Sequence, residues 1–187
     1  MKPMSFGRFL MAAALLASAA GASTKGPSAV PGSDADLANK VRHEIVMYPH
    51  YTIFDDINYR VVNGSVELTG EVSQPYKKSD LTNIVKGIKG VASVTNDLKV
   101  LPLSPDDDRL RLQVARAIYG NSMFLQYRNR ALPPIHIIVD NGHVTLTGVV
   151  GTQMEKQVAG MRASSAGLSF GPVVNNLQVE NPPAKKS

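Results

Sequence analysis

Apolar residues along the chain switch between helical and strand spacing, and the order of these spacings predicts the secondary structure. Leu37, Val41 and Ile45 recur every four residues, which is the stripe of an amphipathic helix. Apolar and polar residues then alternate over 57–61 and 65–68, as they do in half-buried strands. The chain therefore begins its folded part with one helix and two strands.

Helical spacing returns after these strands, and a last strand follows it. Leu81, Val85 and Ile88 fall on one helical face, and Gly90 is the residue expected to end that helix. Alternation over 94–100 predicts a third strand. The predicted order is helix, strand, strand, helix, strand.

Two Asn-Gly dipeptides separate pairs of predicted strands. This dipeptide supplies the two positive φ angles that a type I′ turn requires, so each predicts a β-hairpin. The glycine that closes each following Leu-Thr-Gly sequence is assigned to a turn as well. The predicted structural turn residues are Asn63, Gly64, Gly70, Asn141, Gly142 and Gly148.

The whole pattern occurs twice. Segments 63–72 and 96–100 recur as 141–150 and 175–179, at offsets of 78 and 79 residues. The first helix recurs at an offset of only 73 residues, so the second copy carries extra residues between its first helix and its hairpin. Its elements are predicted as a helix over 110–118, strands over 135–139 and 144–150, a weak helix over 158–163 and a strand over 173–179.

These elements predict an α+β protein of two tandem αββαβ modules. Each module is expected to be two-layered, with a three-stranded mixed sheet covered by two helices. A module of this size can form a hydrophobic core without stabilising cross-links. The predicted division is a signal peptide at 1–22, a disordered leader at 23–33, module 1 at 34–101, a linker at 102–105, module 2 at 106–181 and a disordered tail at 182–187.

The N-terminus has the layout of an export signal. Lys2 and Arg8 precede an apolar run over 9–20, and small residues up to Ala22 suit signal peptidase. The run is too short to span a bilayer, and no second run follows, so no transmembrane span is expected in the mature chain. The prediction is a periplasmic or secreted protein cleaved near Ala22.

Charge and cysteine content exclude several classes of protein. The formal net charge is +5, and removal of Lys2 and Arg8 leaves 18 basic against 15 acidic residues. Neither module is strongly basic, which disfavours nucleic acid as a partner. The chain has no cysteine, so neither disulfides nor a lipoprotein anchor is expected. No arrangement of nucleophile and base is evident, and neither enzymatic activity nor a cofactor is predicted.

The ordered motifs resemble the BON domain family. They are a leading Asp-Leu helix, an Asn-Gly-x-Val-x-Leu-Thr-Gly-x-Val hairpin and a closing Val-x-Asn-x-Leu-x-Val strand, and the resemblance covers nearly all of 34–181. It implies an αββαβ fold and residence in the bacterial envelope, without catalysis. Family members include a periplasmic protein induced by osmotic stress and a lipoprotein that binds anionic phospholipid, so the resemblance also implies association with lipid or envelope components.

The extra residues of the second copy are the candidate lipid-binding site. Aromatic and aliphatic side chains adjoin two arginines there, a combination that suits insertion at headgroup depth with pairing to phosphate. Arg109, Arg111 and Arg116 on the preceding helix are expected to widen the patch. The alternative is that the apolar side chains cap the core of module 2. The candidate residues are Met123, Phe124, Leu125, Tyr127, Arg128 and Arg130.

The other candidates are weaker. The aromatic stretch over 48–54 precedes two acids, which suits core packing, packing between the modules or a protein contact better than an anionic surface. The four histidines lie on separate elements, so no metal site is predicted. His136 is expected to face solvent or to form a hydrogen bond.

Two functions are therefore weighed from the sequence. The first is a non-enzymatic envelope binding module that associates with anionic phospholipid through module 2. The second is a protein-interaction or chaperone-like factor in envelope maintenance or stress, which uses an exposed sheet edge or the aromatic stretch of module 1.

Overall fold

The computed structural model describes residues 33–167 and 169–180. The predicted signal peptide, nearly all of the leader and the tail from 182 onward lie outside the described residues. Module 1 consists of helices α1 (Asp34–Met47) and α2 (Pro75–Lys86) and strands β1 (Asp56–Val62), β2 (Ser65–Val72), β3 (Ser93–Asn96) and β4 (Lys99–Val100).

Module 2 repeats this order with an added turn of helix. Its helices are α3 (Pro105–Tyr119), α4 (Leu125–Arg128) and α5 (Gln153–Ser164), with a 3-10 turn at Ser122–Phe124 before α4. Its strands are β5 (Ile135–Asp140), β6 (His143–Val150), β7 (Val174–Asn175) and β8 (Gln178–Val179). The α+β class and the two tandem modules are confirmed.

Each sheet is mixed and is built around its second strand. β1 pairs antiparallel with β2, and β3 and β4 both pair parallel with the other side of β2. β5, β6, β7 and β8 are arranged in the same way. The predicted third strand is thus two short strands in each module, because it breaks at the residues that follow an asparagine.

That asparagine ties the interrupted strand to the second helix. The side-chain amide of Asn96 donates to the carbonyl oxygen of Lys78 at 2.8 Å, and its side-chain oxygen accepts from the backbone N–H of Leu98 at 3.1 Å. Asn175 forms the equivalent bonds in module 2, with Lys156 at 2.7 Å and Leu177 at 3.3 Å. The Asn of the repeated Val-x-Asn-x-Leu motif is therefore a structural residue.

The hairpin glycines fall into two kinds. Asn63 and Gly64 have φ angles of 50° and 76°, as the predicted turn requires, and the second copy matches them. Gly70 and Gly148 were expected in turns, but this is wrong, because they lie inside β2 and β6. Their φ angles are 111° and 109°, and a Cβ at either would overlap a backbone carbonyl oxygen of the adjacent segment, that of Asp56 or of Pro134, so only glycine fits.

An aspartate at the start of each module's first helix holds the hairpin turn. Asp34 accepts hydrogen bonds from the backbone N–H groups of Asn63 (2.6 Å) and Gly64 (2.9 Å). Asp107, which is buried, accepts the matching bonds in module 2 at 3.0 and 2.8 Å. Each aspartate thereby links the first helix of its module to the hairpin.

Each module has its own core between helices and sheet. In module 1 the two helices contribute Val41, Ile45, Leu81 and Val85, which form one cluster with apolar side chains of β1 and β2. In module 2 the corresponding core is larger, because the added segment contributes Phe124 and Tyr127. These cores supply the apolar burial that stabilises each module.

Other element boundaries also differ from those expected. α2 ends at Lys86 with Gly87 as its cap, and Gly90 lies in the following turn. α5 is a regular twelve-residue helix that begins at a capping box between Thr152 and Glu155. α3 begins at Pro105, inside the predicted linker.

Candidate functional site

The candidate segment of module 2 is divided between core and surface. Phe124 is fully buried, Tyr127 is buried, and Met123 packs partly against the same core. Leu125 is 42% exposed, and Arg128 and Arg130 are exposed. Phe124 and Tyr127 therefore belong to the core of module 2, which was the alternative to lipid binding in the sequence analysis.

Tyr127 fixes the short helix α4 to the rest of module 2. Its hydroxyl donates to the carboxylate of Glu155 at 2.9 Å and accepts from the backbone N–H of Gly151 at 2.9 Å. Burial raises the pKa of this hydroxyl above its usual value. The guanidinium of Arg130 lies over the ring, 5.1 Å from its centre, in cation–π geometry. Arg130 is thus held against α4 while it remains exposed.

One of the three arginines on α3 joins the exposed group. Arg109 is paired with Asp106 at 3.1 Å on the first turn. Arg111 was expected to widen the patch, but this is wrong, because it is only 2% exposed and donates to the carbonyl oxygen of Val139 at 2.7 Å. Arg116, on the last turn, is exposed and lies near Arg128.

Arg116 and Arg128 line one shallow groove of about 510 Å³. Its apolar lining includes Ile53 from module 1 together with Leu112 and Tyr119 from α3. We call this the junction groove, because both modules contribute to it. Among the described residues that line it, none is acidic.

Exposed apolar and cationic side chains on α3, on α4 and just after α4 make up the candidate surface of module 2, and three of them line the junction groove. Leu125 and Arg128 are three residues apart and therefore lie on one side of α4. Leu112 is 48% exposed although it stands on a helix otherwise anchored by its apolar stripe. We call this surface the arginine face, which consists of Leu112, Arg116, Leu125, Arg128 and Arg130.

The sequence did not identify every residue of this region. Leu112 stands outside the stripe of Leu110, Val114 and Ile118, and that off-stripe position was a usable signal of an exposed apolar residue. Ile53 had no such signal, because its place beside α3 depends on how the modules pack.

The loop before β1 packs module 1 against module 2. The carbonyl oxygen of Ile53 accepts from the backbone N–H of Ile137 at 2.7 Å, and so extends the hydrogen bonding of β5. Ile53 and Phe54 also pack against the core of module 2. Two of the interpretations considered for the aromatic stretch are therefore shown: Tyr48 and Tyr51 pack in the core of module 1, and Ile53 and Phe54 pack between the modules.

His136 on β5 is the centre of this contact. Its ring stacks on Tyr51 with centres 5.6 Å apart, and its Nδ1 atom lies 2.6 Å from the carbonyl oxygen of Asp55. A carbonyl oxygen only accepts, so Nδ1 carries the proton. Burial lowers the pKa of His136, although the nearby carbonyls and the carboxylates of Asp55 and Asp56 oppose that shift. The imidazole is therefore neutral at pH 7.

A buried ion pair holds the loop in place. The carboxylate of Asp55 is fully buried and accepts from the ammonium of Lys77 at 2.7 Å and from the backbone N–H groups of Ser73 and Thr52 at 2.7 and 2.9 Å. Burial by itself raises the pKa of this carboxyl, but the hydrogen bonds from Lys77 and Ser73 outweigh it and hold the pKa below its usual 3.8. The loop before β1 is thus held by hydrogen bonds to the side chain of Asp55 and to the carbonyl oxygens of Ile53 and Asp55.

Neither a metal cluster nor a membrane span is found in the part of the chain that the structure describes. Over 33–167 and 169–180, no three His, Asp or Glu side chains come together at ligand spacing. In the same ranges no helix has both the length and the apolar content needed to cross a bilayer.

The family comparison agrees with the repeated architecture. The family profile described as "BON domain" matches residues 33–102 and 106–181. A structure of the C-terminal domain of CdsD, the structural protein of the type III secretion system of Chlamydia trachomatis, is 17% identical with a TM-score of 0.31. The match covers 79% of this chain and 66% of that chain, slightly under two thirds. A second CdsD structure from the same organism is 18% identical with a TM-score of 0.28, over 80% of this chain and 94% of that one. No curated protein matches the chain.

Proposed function

The chain belongs to the BON domain family, and on that premise we propose that it is a non-enzymatic binding module of the cell envelope that associates with anionic phospholipid surfaces through module 2. The signal-like N-terminus supports envelope residence. The arginine face of module 2 supports the lipid surface as partner. Association is expected to be weak and reversible, because the face carries three cations and two exposed leucines.

The observation that carries this proposal is the combination of exposed charge and exposed apolar area. Arg116, Arg128 and Arg130 are exposed on the same module, and the junction groove between two of them has no acidic lining among the described residues. Each arginine near an anionic bilayer contributes about 1 kcal/mol. Leu112 and Leu125 are placed to enter the headgroup region, where burial of apolar area adds to the attraction.

Co-sedimentation with vesicles tests the proposal. Replacement of Arg128 and Arg130 by Glu together is expected to weaken binding to phosphatidylglycerol vesicles by about 30-fold or more, since two contributions of about 1 kcal/mol are lost and repulsion is added. Wild-type binding should fall as salt rises and should be absent with phosphatidylcholine.

The matched control reverses the same number of charges elsewhere. Arg42 on α1 and Arg162 on α5 are both exposed, so their joint replacement by Glu gives the same net charge away from the arginine face. This control is expected to keep most of the vesicle binding. Equal loss in the two double variants would show that only net charge matters and would remove the proposed site.

A second candidate function is supported by the free edge of module 1. β1 lies at an edge of its sheet, and Asn58 and Arg60 are exposed, whereas the first five residues of the matching strand β5 are buried. An open edge of this kind suits strand addition by an extended segment of an envelope protein. A photo-crosslinker at Asn58 that captures one defined partner, when one at the exposed Asn39 on α1 does not, would favour this function over lipid binding.

A further inference from the structure

The junction groove has walls from both modules, whereas the arginine face belongs to module 2 alone. Ile53 belongs to the loop before β1, and Leu112 and Tyr119 belong to α3. The groove therefore exists only where the loop of module 1 is seated on module 2.

The wall from module 1 is held in a fixed position. The carbonyl oxygen of Ile53 is bonded to Ile137, and two residues later Asp55 is anchored by Lys77 and Ser73. On the other side, α3 is fixed by its buried stripe. A groove with fixed walls binds without a large cost of ordering its own residues.

The lining dictates the chemistry of the occupant. The hydroxyl of Tyr119 is turned inward, where it donates to the carbonyl oxygen of Ile135 at 2.6 Å and accepts from its N–H at 3.1 Å, so it offers no hydrogen bond to a ligand. The remaining polar groups are the guanidinium groups of Arg116 and Arg128. An occupant that matches has an apolar chain and a single anionic head.

We propose that the junction groove binds a single-chain anionic amphiphile, with its acyl chain along Ile53, Leu112 and Tyr119 and its headgroup at Arg116 and Arg128. A volume of about 510 Å³ lies in the range of small-molecule sites, which suits one chain rather than a diacyl lipid. This inference rests on the proposed function, because it assigns a lysophospholipid to part of the same surface.

Occupancy of the groove also links the two modules. A ligand that contacts Ile53 and Leu112 together binds only the docked arrangement, so it stabilises that arrangement by mass action. The expected consequence is that the amide of Ile137, which bonds to Ile53 across the contact, exchanges more slowly with solvent when the ligand is bound.

The test is a titration of the full chain with lysophosphatidylglycerol below its critical micelle concentration, followed by amide chemical shifts. Saturable shifts are expected at Leu112 and Gly120 of module 2 and at Ile53 of module 1. Leu112→Glu should weaken binding at least about tenfold, because it removes an apolar contact and adds a negative charge. Met161→Glu on α5, at a residue 63% exposed, is the matched control and should leave the affinity unchanged.

The outcomes separate this inference from the proposed function. If vesicle binding depends on Arg128 and Arg130 but monomeric lysophosphatidylglycerol causes no saturable shifts, the groove proposal is overturned and the surface association stands. If monomeric lysophosphatidylglycerol binds saturably but the chain does not bind vesicles, the surface association is overturned and the groove proposal stands. Shifts confined to module 2, or equal affinity for lysophosphatidylcholine, would contradict a groove shared by both modules and selected by its arginines.

Discussion

The two modules hold the start of the second helix with different side chains at matching positions. In module 1 the carboxylate of Asp55 accepts from the N–H of Ser73 and pairs with Lys77. In module 2 the hydroxyl of Tyr127 accepts from the N–H of Gly151 and donates to Glu155, which stands 78 residues after Lys77. An ion pair in module 1 thus corresponds to a tyrosine and a carboxylate in module 2. In both modules the buried carboxylate, Asp55 or Glu155, accepts hydrogen bonds.

Breaking the ion pair from one side is expected to be costly. Lys77→Met leaves the carboxylate of Asp55 buried without its counter-charge, which should lower the free energy of unfolding of module 1 by about 3–5 kcal/mol. Lys86→Met on the same helix changes an exposed side chain and should cost less than about 0.5 kcal/mol. Urea unfolding followed at the amides of Leu81 and Val85 measures both.

The same ion pair predicts how acid affects module 1. The folded pKa of Asp55 lies below its unfolded value, so its contribution is fully present above about pH 4 and is lost as the pH falls through the folded pKa. Lys77→Met should flatten this loss below pH 4. If Lys77→Met were as stable as Lys86→Met and lost stability in acid as the wild type does, the ion pair would not stabilise the loop.

The link between first helix and hairpin is the clearest structural use of the repeat. Asp34 and Asp107 each accept two backbone N–H groups from an Asn-Gly turn, whose donors have no partner in a free hairpin. The bonds differ in environment, because Asp107 is buried and Asp34 is partly exposed. A hydrogen bond out of contact with water contributes more when it is intact and costs more when it is lost.

Alanine at the two aspartates should therefore have unequal effects. Asp107→Ala leaves two turn donors without a partner, one of them on the buried Gly142, and should cost about 2–4 kcal/mol, since bonds to a charged group are worth about 1.5–3 kcal/mol. Asp34→Ala should cost about half as much, because water reaches its turn. Thermal unfolding of both variants compares the two modules, and equal losses would contradict a role for burial.

The sequence predicted the parts of the fold that depend on local spacing. The helical stripes, the Asn-Gly turns and the 78-residue offset all follow from neighbours within a few residues of one another or from direct repetition. The place of Gly70 inside β2 did not follow, since its positive φ reflects a close approach to the carbonyl of Asp56 across the strand pair. The break after Asn96 likewise depends on a bond to Lys78, eighteen residues away.

The exposure of the candidate residues in module 2 was predicted only in part. Exposed Leu125, Arg128 and Arg130 lie where the extra residues of module 2 indicated. Arg111 and Arg116 do not differ in residue type, but they differ in helical position. Arg111 lies beside the buried stripe, three residues before Val114, and it bonds to β5, whereas Arg116 lies on the opposite side of α3. Ile53 offered no such signal, since it acts through a contact between modules.

The contact between the modules removes an edge that would otherwise invite aggregation. β5 is buried over five consecutive residues, whereas exposed and partly buried residues alternate along most of β1. Part of the difference is the loop of module 1, which supplies a backbone acceptor to Ile137 and a ring to His136. β1, the matching edge strand of module 1, is the more exposed of the two.

This contact should weaken in mild acid through His136. Its folded pKa lies below the ordinary 6.5, so the unfolded or undocked chain takes up a proton first as the pH falls. The stability that the neutral ring contributes is therefore complete above about pH 6.5 and is lost as the pH drops from there towards the folded pKa. Undocking should appear as reduced exchange protection of the Ile137 amide at pH 5.5 relative to pH 7.5.

His136→Gln separates this effect from the other titrating groups. Glutamine keeps an amide donor for the carbonyl of Asp55 but does not titrate, and His43, His50 and His143 remain as a shared, exposed background. The difference in protection between wild type and variant should thus favour wild type at pH 7.5 and shrink at pH 5.5. A constant difference would mean that His136 stabilises the contact by shape alone, because a group whose protonation does not change on undocking adds no pH dependence.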